Sequence, residues 1–162
     1  MTPDLPAEPW LPFLNALDAA LDGKTELHCM GGFAIVHAYG LGRATADIDV
    51  LSIVPYSKGN RLLELAGKQS ALREKHAIYL DFVTVATAPE NYAARLTPLY
   101  PGVWRNLHLY ALEAHDLALT KLERNFERDR ADVAQPGPRR IPAGGHTPRA
   151  IPPRPPALCH RA

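Results

Sequence analysis

The sequence predicts an α+β domain of α/β character, a small mixed sheet flanked by helices, followed by a tail that does not fold. Three observations lead there. Apolar residues alternate between helical and strand spacing in the order helix, strand, helix, strand, helix, strand. The length, 162 residues, suffices for one core of ordinary size and leaves no room for a second independent domain unless it is very small. Finally, eight of the sixteen prolines lie beyond Gln135, a density that no packed helix or sheet survives. The folded domain is therefore expected over residues 1–133 and a disordered Pro/Arg-rich tail over 134–162.

Leu11, Phe13, Leu14, Leu17 and Leu21 recur at helical spacing, with Pro9 at the first turn and Gly23 after the last apolar position. An amphipathic helix opens the fold. A strand is expected from Glu26 to Met30, ending at Gly31-Gly32 and passing into a helix from about Phe33 to Tyr39, which Gly40 stops. Two β-branched runs, Ile48–Val54 before Pro55 and Ala77–Val85, read as strands. Between them Leu62, Leu63, Leu65, Ala66 and Leu72 predict one helix with a break at Gly67. Pro98 and the Pro101-Gly102 turn interrupt the next stretch, after which Leu107–Leu112 reads as a strand. His115 to Phe126 returns to helical spacing, and Arg128–Val133 extends that helix or begins another.

A formal net charge of +1 argues against wholesale coating of nucleic acid or an anionic membrane. Cys29 and Cys159 are too far apart in context to form a disulfide framework or a zinc site. The N-terminal residues carry prolines and acids rather than a basic start and an apolar run, and no segment approaches the roughly 20 apolar residues of a membrane span. A soluble, cytoplasmic protein is expected. The histidines show no ligand spacing, and His37, Trp10 and Trp104 read as packing residues.

The chemistry concentrates in three acids and two glycines. Asp47 and Asp49 are two apart at the start of a strand, so their side chains share a face. Paired buried carboxylates are costly without compensation, and a divalent cation that prefers oxygen ligands compensates them. Asp81 lies inside a second apolar strand; if that strand pairs beside the first, all three acids share one edge of the sheet. Three convergent carboxylates suit two-metal phosphoryl chemistry. Upstream, Gly31-Gly32 at a strand-to-helix junction lets backbone amides and the helix dipole approach a phosphate. Arg43, in the loop before the acids, is a further phosphate contact.

The stretch Met30-Gly31-Gly32-Phe33-Ala34-Ile35, with Arg43-Ala44-Thr45-Ala46-Asp47-Ile48-Asp49-Val50 after it, resembles the signature of the polymerase-beta-like nucleotidyltransferases. The later segment Leu117 to Arg124, with Arg128-Asp129-Arg130-Ala131-Asp132-Val133, is similar to the C-terminal motifs of the abortive-infection (AbiEii-like) nucleotidyltransferase toxins and their relatives. The resemblance implies the nucleotidyltransferase fold, with Asp47, Asp49 and Asp81 as catalytic residues holding Mg2+ or Mn2+. Gly31, Gly32, Arg43 and Thr45 then belong to the nucleotide site, Lys121 contacts the nucleotide phosphates and Asp129 acts near the reaction centre. It implies an NTP as substrate, an RNA, protein or small-molecule hydroxyl as acceptor, and a cognate toxin or antitoxin as partner.

Read from residues alone, Lys121, Arg124, Arg128, Asp129 and Asp132 form a solvated helix face with i,i+4 ion pairs. Two alternatives to the enzyme stand beside it: a partner-binding antitoxin that keeps the fold without turnover, and a tail, Pro-Gly-Pro-Arg-Arg onward, that reflects a truncation or frameshift or else serves as a basic RNA-binding arm.

Overall fold

The structure, a computed structural model, describes residues 4–41, 45–84 and 86–134, with side chains as far as Asn125. The expected tail, apart from Ala134, lies outside the described residues, as do Arg43 and Val85. The elements run α1 (Trp10–Ala20), β1 (Thr25–Met30), α2 (Gly31–Tyr39), β2 (Asp47–Val54), a 3-10 turn (Tyr56–Lys58), α3 (Gly59–Ala66), α4 (Ala71–His76), β3 (Tyr79–Phe82), a second 3-10 turn (Tyr92–Arg95), β4 (Thr97–Leu99), β5 (Leu107–Ala111) and α5 (Ala114–Ala134). The α+β architecture predicted from the sequence is the one observed.

Five strands form one mixed sheet in the order β3-β2-β1-β5-β4. β1 is antiparallel to β2 and parallel to β5, while β2 and β3 run parallel. Alternate strand residues, Leu27 and Cys29 of β1, Ile48 and Val50 of β2, Leu80 of β3 and Leu107, Leu109 and Ala111 of β5, are buried with Trp10, Phe13, Leu14 and Leu17 of α1, Phe33 and Ala34 of α2 and Leu62 and Ala66 of α3. The intervening residues, among them Asp47, Asp49, Tyr79 and Asp81, occupy the other face.

Two departures from the predicted elements, and one expected break, have local causes. α2 begins at Gly31 itself, because Met30 remains extended and Gly31 adopts a φ of +66°. The break expected at Gly67 divides the segment between β2 and β3 into two helices: the Gly67 amide closes α3 on Leu63 O, and the Ser70 hydroxyl accepts from the Arg73 amide to start α4. Strand β3 is four residues long where nine were expected. Its start is set back by Ala77, which caps α4 in the left-handed region at φ 57°. Its end coincides with an irregularity in the neighbour. Cys29 pairs with Val50 but His28 pairs with Ser52, so β2 carries an extra residue and the buried positions shift from Ile48 and Val50 to Ile53. The last β3 partner, Phe82, sits against Val50, just before that bulge. Strand β4, with Pro98 on the sheet edge where a missing donor is tolerated, was not resolved by the sequence reading.

Candidate functional site

Two strands and one helix start build the site. The parallel register sets Asp49 against Asp81 and Asp47 against Tyr79, so all three acids stand on one face, and one carboxylate oxygen from each lies within 4.8 Å of the others. Among the described residues this is the group of acids, histidines or cysteines arranged to share a cation. The spread suits oxygen-liganded divalent ions, whose bonds of about 2.0–2.6 Å place ligands on opposite sides of one ion about 4–5 Å apart.

The glycines lie against this face. Gly31, the residue after β1, sits directly beneath Asp49, and a Cβ there would overlap the Asp49 carboxylate as well as strain the backbone. Glycine thus permits the acid and the N-terminus of α2 to touch. A Cβ on Gly32 would stand 3.4 Å from the Thr45 side chain. Thr45 in turn donates its hydroxyl to Asp47 Oδ1, which fixes that carboxylate from the loop side.

Electrostatically the three acids repel one another. Burial, then the neighbouring Asp47 charge, push the Asp49 carboxyl above the usual aspartate range, and Asp81 adds to this; Arg124 opposes it. Arg124 Nη1 lies 3.5 Å from Asp49 Oδ2, with the acid's side chain only 13% exposed. On the other flank Lys68 Nζ lies 3.1 Å from Asp81 Oδ2 and 5.5 Å from the centre of the Tyr79 ring. Three carboxylates are thus met by two cations, one from α5 and one from the turn between α3 and α4.

Of the residues singled out from the sequence, Asp47, Asp49, Asp81, Gly31, Gly32 and Thr45 come together. Lys121 is an exposed residue of α5, one turn before Arg124. Asp129 lies further along the same helix, and its side chain and all of Arg43 are outside the described residues. Arg124, read from the sequence as part of a solvated face, instead reaches the acids. Asp116 and Thr120 are buried, and Arg124 is eight and four residues on, so the three form one inward stripe whose polar residues read in sequence as a solvated face. Nothing in the spacing around Lys68 marks it, because a turn has no periodicity to read.

His28 and His37 are packing residues. His28 is buried against Tyr92 and Tyr110, with Nδ1 2.9 Å from the Tyr92 hydroxyl, and burial holds its pKa below the ordinary value. His37 lies among Trp10, Phe33 and Tyr100, and Trp104 donates to Asn15 Oδ1 from a buried position. No helix among the described residues is long and apolar enough to cross a membrane.

The family model described as "Nucleotidyltransferase of unknown function (DUF6036)" matches residues 13–137, the greater part of the chain, and the protein belongs to that family. No curated protein and no solved structure matches it significantly.

Proposed function

From membership of that nucleotidyltransferase family as the premise, we propose that the protein transfers a nucleoside monophosphate from an NTP to a hydroxyl acceptor, using Mg2+ or Mn2+ held by Asp47, Asp49 and Asp81. The observation that carries this reading is the register of β2 and β3, which brings three carboxylates within 4.8 Å at the glycine start of α2. Divalent cations at such a site lower the pKa of an attacking oxygen and neutralise charge on a leaving pyrophosphate.

The chain's own residues do the rest. Gly31 and Gly32 present the unsatisfied amides of the α2 N-terminus to the phosphates, and the helix dipole favours that anion. Arg124, against Asp49, supplies a fork-shaped donor set, and Lys121 adds charge one turn earlier. Thr45 orients Asp47. Asp81 lies on β3 at the edge of the sheet, opposite Asp49.

A place in a toxin–antitoxin pair is part of this proposal, supported by the likeness of Lys121-Leu122 and Arg128-Asp129 to the toxin motifs. The direct test incubates the purified protein with each labelled NTP, Mg2+ and total tRNA or cell lysate. Label transfer is expected and should vanish in an Asp47→Ala, Asp49→Ala variant. Absence of acid-dependent transfer with all four nucleotides overturns turnover, and a stable protein partner retained by that variant would establish the non-catalytic alternative.

A further inference from the structure

Lys68 is held in place by more than its own ion pair. On one side the Gly67 amide donates to Leu63 O at 2.8 Å, and a Cβ at Gly67 would run into that carbonyl. On the other, Ser70 is buried and caps α4. The backbone of Lys68 is therefore anchored at both ends, although its side chain is 60% exposed. The Lys68 amine stands over Tyr79 and against Asp81, two residues of β3 that share the face of Asp47 and Asp49. As an exposed ion pair it contributes little stability, so its placement is not explained by the fold.

The two cations at the acids are not equivalent. Arg124 reaches the half-buried Asp49, is one-third exposed and carries a delocalised charge. Lys68 sits at the solvent edge of the sheet and touches the outermost acid through a single contact. A compact ammonium on one carboxylate oxygen occupies the position that a hard cation takes there, and it is the contact most readily exchanged.

We propose, resting on the metal-site reading above, that Lys68 is a positioning residue that keeps the outer cation place at Asp81 while no nucleotide is bound. The acids then take up one divalent ion by themselves, and a second joins only together with the oxygens of a triphosphate. Lys68 thereby couples completion of the cation pair to the arrival of substrate.

Mn2+ binding to the full chain, followed by the EPR signal of the free ion, tests this without reference to activity. The parent protein is expected to bind one Mn2+ tightly, and two in the presence of a non-transferable NTP analogue. Lys68→Met should bind the second ion without nucleotide, about tenfold more tightly than the parent, because a like charge has been removed from the cluster. Lys68→Arg should behave as the parent does. Unchanged or weaker second-ion binding in Lys68→Met, while the parent still loses Mn2+ on Asp47→Asn and Asp49→Asn, overturns the role of Lys68 alone. Parent Mn2+ binding that ignores Asp47 and Asp49 overturns the site reading and this inference with it.

Discussion

The protein treats two aspartates near α5, one buried and one half-buried, in opposite ways. Asp116, 4% exposed in its side chain, is held by both ends of the Arg95 guanidinium, at 3.0 and 2.8 Å. Asp49, 13% exposed, faces two other carboxylates and has one arginine at 3.5 Å. The first arrangement is closed: its charges and hydrogen bonds are satisfied inside the fold. The second leaves an excess of negative charge in a partly desolvated place, which costs stability and is a feature of sites built to receive a cation. Asp116 serves the fold; in the function proposed above, Asp49 serves binding.

Removing partners should separate the two most strongly. Arg95→Ala leaves Asp116 buried without its cation, and the melting temperature is expected to fall by on the order of 10 °C. Asp49→Asn removes a repelled charge, so its melting temperature should stay level or rise by a few degrees while nucleotide transfer is lost. Thermal unfolding of the two variants side by side checks this, and a large destabilisation by Asp49→Asn would erase the contrast.

The glycines sharpen the same comparison. Gly31 and Gly40 both adopt positive φ, +66° and +64°, but only Gly31 lies against an acid, whereas nothing stands near a Cβ at Gly40. Gly40→Ala is expected to cost only the conformational part, about 1 kcal/mol, and to leave nucleotide binding intact. Gly31→Ala should cost more than this in denaturant unfolding and abolish nucleotide binding, because Asp49 has to move.

A smaller effect is written in pH. The raised Asp49 pKa means that the folded protein holds this proton more tightly than the unfolded chain, whose aspartate lies near 3.8. The cost of the charged form is therefore fully present above the folded-state pKa and fades as the pH falls through it toward the unfolded value. The stability advantage of Asp49→Asn over the parent should be greatest at neutral pH and shrink on acidification. An advantage that grows on acidification would contradict the assignment of a raised pKa.

Much of this was legible in the residues. The strand period placed Asp47 and Asp49 on one face, and the β-branched run around Asp81 supplied the neighbouring strand. The mutual register, Asp49 against Asp81, depends on a parallel pairing across α3 and α4 that no local pattern encodes. The extra residue at Leu51, which shifts burial along β2 and coincides with the end of β3, reads in sequence as an ordinary member of an apolar run. The two cations were hidden for different reasons. Arg124 belongs to an inward stripe whose polar members, Asp116 and Thr120, disguise it as a solvated face. Lys68 owes its place to the Gly67 and Ser70 caps on either side.

Nucleotide binding through a divalent ion at the three acids and the glycine turn is open to direct measurement. The most direct measurement is calorimetric titration of non-transferable analogues of the four NTPs into the full chain, with and without Mg2+, in the parent and in an Asp47→Asn, Asp49→Asn variant. Saturable, Mg2+-dependent binding of at least one analogue is expected in the parent, weakened by at least about tenfold in the variant. Failure of the parent to bind any analogue, or binding that is equal in the variant, would contradict the central claim.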